Sequence, residues 1–346
     1  PEKSVSDSGL VPMAERLQAT GRLTDAMMLV RSFSQSVRYE VELLAANIPF
    51  FVYGRVPLVA LDEIAAQVAA LSLAAGHWAI EEPEARAATM MALLRIPSLY
   101  LNAEEQVALA EVIETVVDDP RLLPDVIRRF ALTLPNERVR VVPELIERAR
   151  VIETLSSGRL QKSTPDVVLG TYDALTQLTA WLDRQTALGN AGAEMGANVK
   201  AFRQVAAKES DLITLIDRLG PMAGKKAASP PESPHFRITS IHRSKGAEYP
   251  IVFVAGWAEG AFPLPSSPME EERRLAYVAV TRAMEHLVLM TPACPALAAV
   301  AKDPNAESPD GFQSIASRFL FEAELALSNR VGAMIADNAE GTFSAR

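Results

Sequence analysis

The sequence has 346 residues, 49% hydrophobic and 22% charged, with a formal net charge of −9. That is a globular balance, which excludes a disordered or collagen-like chain, and the length suggests two domains or one domain with a large insertion. No apolar run approaches the ~20 residues that span a bilayer, which disfavours a membrane-spanning protein, and a cytoplasmic location without a membrane partner is expected.

A single cysteine, Cys294, excludes an intrachain disulfide framework and a cysteine-built zinc site. The histidines His77, His235, His242 and His286 show no metal-ligand spacing, so no metal site is expected from this chain alone. The first residue is Pro1, from which we expect the sequence to begin inside a longer protein. The negative charge is unevenly spread. Residues 236 to 290 hold six Lys/Arg against six Asp/Glu, and residues 121 to 163 hold nine against five. A locally basic face on an acidic chain suits either a phosphate backbone or a solvated helix surface.

In chain order, residues 26–31 read as a short buried strand. Ser34 to Asn47 carries apolar residues at helical spacing (Val37, Val41, Leu44), and Pro49 to Tyr53 reads as a second strand. From about 58 to 218 the pattern is helical: Leu58 to Ala75, Ala85 to Leu94, Glu104 to Val117, Pro143 to Leu155, Tyr172 to Leu188 and Asn198 to Leu219. Residues 221–235 hold four prolines and mark a linker. Strands return at Phe236–Ile241, Pro250–Ala255 and His286–Met290, with a helix at Glu270–Ala283. Strands alternating with helices predict an α/β class with a parallel sheet, interrupted by a helical insertion.

The chemistry concentrates in Thr239-Ser-Ile-His-Arg-Ser-Lys-Gly-Ala-Glu248 and Glu270-Glu-Glu-Arg-Arg-Leu-Ala-Tyr-Val-Ala-Val-Thr-Arg-Ala283. Thr239, His242 and Lys245 gather at a strand's carboxyl end, where α/β sheets bind ligands, and Gly246 admits close backbone approach. In the second stretch Leu275 and Val278 face inward, Tyr277 is expected in the core, and Arg273 and Arg274 are expected to pair with Glu270 or Glu271. Trp257 is expected to pack rather than to stack on a base.

These two stretches resemble motifs V and VI of the UvrD/Rep/PcrA-type superfamily I helicases, close to T-x-H-x-x-K-G-L-E and E-E-R-R-L-x-Y-V-x-x-T-R-A. Met28 to Arg31 with Ser34 and Gln35 resembles motif IVa, and Ala316 to Leu320 resembles a short later element. The resemblance implies a C-terminal helicase half with a RecA-like parallel sheet, helices on both faces, P-loop NTPase-like but without the P-loop. Its first part is expected at 1–80, the inserted helical subdomain at 81–220, a linker at 221–235, and the second part with a C-terminal tail at 236–346.

It further implies an arginine finger at Arg282, nucleotide contacts from Glu248 and Gly246, and DNA contacts from Thr239, His242, Arg31, Ser34 and Lys245. ATP and Mg²⁺ would be held mainly by another half, because no G-x-x-x-x-G-K-[ST] occurs here. The implied partners are single-stranded DNA, a duplex junction, and an N-terminal RecA-like domain of the same protein or another chain. Ala247 stands where the family favours Leu. Leu94 to Leu101 resembles a proline-containing family segment without its Arg-Gly-Ile-Gly-like continuation, so the arginines at 121–163 are candidates for duplex contact. A module that binds single-stranded DNA or a helicase without hydrolysing ATP is the alternative.

Overall fold

The computed structural model describes residues 9–223, 230–258, 260–291, 317 and 319–320. The chain forms two compact units, one of residues 1–54 with 231–346 and one of residues 55–230.

The first unit opens with α1 (Leu10–Ala19), β1 (Ala26–Val30), α2 (Ser36–Ala45) and β2 (Phe50–Tyr53). The chain leaves for the second unit and returns as β3 (Phe236–Ser240), β4 (Tyr249–Val254), a helix at Met269–Val280 and β5 (Ala283–Leu289). The sheet runs β2-β3-β1-β4-β5, and every pair is parallel. All five residues of the central strand β1 are buried, as a sheet covered on both faces requires. Side chains alternate across it. Met28 and Val30 join Leu10, Leu43 and Phe236 on the α1 and α2 face, while Met27 and Leu29 join Val252, Leu275 and Ala279 on the opposite face. This is the α/β sheet with helices on both faces that the sequence predicts.

The order positions the site. From β1 the chain crosses over a vacant place to β2, and β3 later fills that place. Because all strands are parallel, Arg31, Gly54 and Ile241 leave the sheet at one edge, the carboxyl edge. The starts of β4 and β5 lie at the opposite, amino edge.

The second unit is helical: α3 (Asp62–Ala75), α4 (Pro83–Arg95), α5 (Ala103–Glu114), α6 (Leu123–Thr133), α7 (Val141–Leu155), α8 (Pro165–Thr176), α9 (Leu178–Leu188), α10 (Asn190–Ala206) and α11 (Leu212–Ala223). The Met269–Val280 helix of the first unit is then α12. The boundary falls at 54/55 rather than at 80/81. The reason is α3, which is buried on every side and therefore belongs at the centre of the helical unit.

Two long expected helices are each broken in two. Gln177 adopts a left-handed φ of 55°, and Asp173 captures the Thr179 amide at 2.7 Å and its hydroxyl at 2.9 Å, which stops α8 and starts α9. Asp211 does the same before α11, accepting from the Thr214 amide at 2.8 Å. The helices α1 and α6 were not expected from the pattern.

The proline-containing segment after α4 is held from below. The buried Arg148 guanidinium donates to the carbonyls of Leu93, Ile96 (3.1 Å) and Pro97 (3.2 Å), and the Tyr172 hydroxyl donates to Ile96 at 2.7 Å. Burial pushes the Tyr172 phenol up to about 12. Arg148→Met removes its donations to three buried carbonyls, of which Ile96 keeps the Tyr172 hydroxyl, and is expected to cost about 3 kcal/mol in a urea melt. A loss below about 1 kcal/mol would mean that water serves those carbonyls instead.

Candidate functional site

Residues 241–248 link the carboxyl end of β3 to the amino end of β4 and so pass from one edge of the sheet to the other. The first part is a turn of helix-like backbone, with the Ser244 amide donating to Ser240 at 3.2 Å. Its inward positions are Ile241, buried in the core, and Ser244, whose hydroxyl donates back to the Ile241 carbonyl at 2.8 Å. The outward positions are His242, Arg243, Lys245 and Gly246, all exposed. Among the described residues, the side chains of His242, Arg243 and Lys245 have no hydrogen-bond or ion-pair partner. The carboxyl edge of β3 therefore carries uncompensated positive charge.

Gly246 has φ 82°, a conformation that favours glycine, and a Cβ there would meet nothing within 4 Å. The open space in front of it is compatible with close approach of a ligand to the backbone.

Thr239 is not part of that exposed face. It is 4% exposed, and its hydroxyl donates to the Tyr53 carbonyl at 3.1 Å, tying the end of β3 to the end of β2. Arg31 is likewise committed. Its Nη2 lies 2.7 Å from Glu272 Oε1 and its Nε 3.0 Å from the same oxygen, with a further donation to Ser267 Oγ at 3.2 Å. Arg31 is 13% exposed and Glu272 fully buried. The Leu264 amide donates to the other carboxylate oxygen at 3.1 Å. Burial pushes the Glu272 carboxyl up, but the hydrogen bonds from Arg31, Leu264 and Ser267 and the Arg31 charge outweigh it, leaving the group below its ordinary value. Thr239 and Arg31, both expected as DNA contacts, are thus engaged within the protein, by the Tyr53 carbonyl and by Glu272. Ser34 shares a hydrogen bond with Ser32 at 2.8 Å in a short turn before α2.

At the amino edge, Arg282 follows α12. Its Nε donates to Val278 at 3.0 Å, Nη1 to the Ala247 carbonyl at 3.1 Å and Nη2 to Thr281 Oγ1 at 3.1 Å. All three acceptors are neutral, so the guanidinium keeps its full charge while its direction is fixed. Its backbone carbonyl accepts from the Tyr249 amide at 2.9 Å, which places the arginine beside the exposed Glu248. The structure therefore gathers Arg282, Ala247 and Glu248 toward one edge and His242 and Lys245 toward the other.

The helix α12 buries Glu272, Leu275, Ala276 and Ala279, a stripe at helical spacing. Tyr277 lies off that stripe and is 70% exposed, contrary to the core position expected of it. Arg274 pairs with Glu270 at 2.7 Å, as expected. Trp257 is buried against Phe262, with ring centroids 5.1 Å apart. Of the later element, Ala316 and Arg318 lie outside the described residues, while Phe319 and Leu320 are buried on the α12 face.

A triphosphate fits this arrangement in one respect and not in another. An oriented, uncompensated arginine next to an exposed carboxylate suits a phosphate and a ribose hydroxyl. No group of three or more His, Cys, Asp or Glu able to hold a metal occurs among the described residues, so Mg²⁺ is not caged by them. Sequence reasoning missed Arg243, Gly54 and the role of Glu272. The Gly54-Arg55 turn after a strand was the one available signal for the second.

Comparison with known proteins bears on the same segment. The UvrD-like helicase C-terminal domain family matches residues 195–292. The ATP-dependent DNA helicase PcrA of Leuconostoc citreum is 51% identical over 57 residues, 15% of this chain and 8% of that protein. DNA helicase II of Escherichia coli strain K12 is 50% identical over 58 residues, again 15% and 8%. A longer alignment, with DNA helicase II of Haemophilus influenzae, is 27% identical over 291 residues, 78% of this chain and 37% of that protein. The chain thus spans well under half the length of these relatives. Residues 195–292 match the UvrD-like helicase C-terminal domain family, and the chain, with its all-parallel α/β sheet of RecA-like type, is similar to DNA helicases of the UvrD and PcrA kind.

Proposed function

We propose that this chain is the C-terminal motor region of an ATP-dependent 3′–5′ DNA helicase, supplying an arginine finger and contacts to single-stranded DNA. The observation that carries this reading is the 241–248 connection. One short segment bears partner-free cations at the carboxyl edge and an anchor for Arg282 at the amino edge. A shift of Arg282 toward a γ-phosphate pulls on the Ala247 carbonyl, and Ala247 lies two residues from Lys245 in a segment with no other element between them. Nucleotide state and grip on a DNA strand are thereby linked mechanically.

In this reading His242, Lys245 and Ser34 face the strand, while Glu248 and Gly246 line the nucleotide side. ATP supplies the free energy, and an N-terminal RecA-like domain, of the same protein or of a partner chain, supplies the phosphate cradle and the Mg²⁺ ligands. The chain alone is inactive as an ATPase. Such a protein works in the cytoplasm; no helix among the described residues is long and apolar enough to cross a membrane.

The test is direct. The isolated chain should bind a labelled oligo(dT) with salt-sensitive affinity and show no ATP turnover, and Lys245→Ala should lower the salt slope by about 0.7. Salt-independent binding, or none, would overturn the strand contact. ATP turnover by the chain alone would overturn the division of labour.

A duplex contact is proposed for the basic stretch at 121–163. Arg128 is paired with both Asp125 and Glu153, whereas Arg129 is exposed and makes no such pair. Arg129→Ala should therefore lower the duplex salt slope by about 0.9, and Arg128→Ala much less. Equal slopes in wild type and the Arg128→Ala/Arg129→Ala double variant would remove the duplex contact.

A further inference from the structure

The end of β2 carries a close approach that the motif comparison does not address. Gly54 has φ +100°, and a Cβ built on it would lie 2.5 Å from Arg243 Nε, 2.6 Å from Cδ and 2.8 Å from Cζ. The Arg243 side chain is thus laid across bare backbone at the carboxyl edge of β2, the outer strand of the sheet. The preceding carbonyl, Tyr53, is fixed by the buried Thr239 hydroxyl at 3.1 Å. Arg243 is exposed, and among the described residues its guanidinium has no hydrogen-bond or ion-pair partner.

An arginine laid with its Cδ, Nε and Cζ over a strand end, and with no polar partner for its guanidinium, has its direction set without its charge being used. The surroundings say what the charge is for. Arg31, at the next strand end, is neutralised by Glu272. The cations left at this edge are Arg243 and Lys245, with His242 beside them, and Glu248 stands at the opposite edge of the sheet.

Resting on the reading of this edge as the DNA-strand side, we propose that Arg243 is an additional phosphate contact. It extends the strand path from β3 onto the β2 edge, with Gly54 and Thr239 as the residues that position it. A guanidinium recognises phosphate by charge and paired donors, and a phosphate contact is insensitive to base sequence.

The experiment is a salt titration of labelled oligo(dT) binding by the 346-residue chain. Arg243→Ala should lower the slope of log K against log salt by about 0.7, the value for one phosphate on a single strand, and Arg243→Lys should keep it. Gly54→Ala, which displaces the arginine while leaving it in the sequence, should lower the slope as much as Arg243→Ala. The double variant should lose no more than either single one. Thr239→Ser should bind as wild type and Thr239→Val should lose part of the slope.

If Gly54→Ala does not fold, the Arg243→Ala and Arg243→Lys pair still decides the contact. An unchanged slope in Arg243→Ala, with a lowered slope in Lys245→Ala, overturns the proposal and leaves the strand reading intact. A folded Gly54→Ala with the wild-type slope overturns the positioning by Gly54. No binding by the wild-type chain at low salt overturns the strand reading, and this proposal with it.

Discussion

In the longer ATP-dependent motor proposed above, Arg282→Ala is expected to lower DNA-stimulated ATP turnover by about 10³-fold or more while changing nucleotide affinity only a few-fold. The expectation follows from how the guanidinium is held. Three neutral acceptors, Val278, Ala247 and Thr281, orient it and none cancels its charge, so it meets a developing phosphoryl charge at little reorganisation cost. Arg282→Lys keeps a charge but loses the planar fork that reaches all three acceptors, and its turnover should fall nearly as far. Steady-state turnover with saturating oligonucleotide, together with binding of a fluorescent nucleotide analogue, separates the two effects. Unchanged turnover in Arg282→Ala removes the finger assignment. A parallel loss of nucleotide affinity would make Arg282 a ground-state contact instead.

The fold class was legible because a parallel sheet covered on both faces needs short, continuously apolar strands, and residues 26–30 and 251–254 are of that kind. The helical insertion was legible from its alanine- and leucine-rich periodicity. Its edges were not, because the break at Gln177 depends on a side chain, Asp173, that captures a backbone amide two residues beyond the break. The division at 54/55 was hidden for a related reason. Whether α3 belongs to one unit or the other depends on what surrounds it, which local pattern does not record.

The candidate site divides in the same way. Motif resemblance identified the segments, and within them the exposed positions His242, Lys245 and Glu248 stand where a ligand can reach them. It could not tell which polar residue faces outward and which one faces a carbonyl. Thr239 and Arg31 are polar side chains at a ligand-binding edge by sequence, and in the structure they engage the Tyr53 carbonyl and Glu272. Arg243 and Gly54 were illegible because 189 positions separate them, and only the pairing of β2 with β3 brings them together.

Arg31→Ala is expected to destabilise the sheet unit by about 3–5 kcal/mol at neutral pH, because it leaves the fully buried Glu272 carboxylate without its cation. Tryptophan fluorescence during urea unfolding reads this unit through Trp257 once Trp78 and Trp181, which lie in the helical unit, are replaced by Phe. The sign of the pH dependence is fixed by the direction of the Glu272 shift. Its folded value lies below the ordinary 4.5, so the stabilisation is fully present above 4.5 and is lost as pH falls through the folded value. In Arg31→Ala the hydrogen bonds and charge of Arg31 are gone, leaving only the Leu264 and Ser267 hydrogen bonds against burial, so the carboxyl should rise from its wild-type value. The deficit of the variant should therefore shrink on acidification, as its Glu272 protonates first. Replacing both partners, Arg31→Met with Glu272→Leu, should restore stability to within about 1 kcal/mol of wild type, since no charge is then left buried. If Arg31→Ala instead melted as wild type and lost affinity for single-stranded DNA, the arginine would belong to the strand path and the ion pair would be incidental.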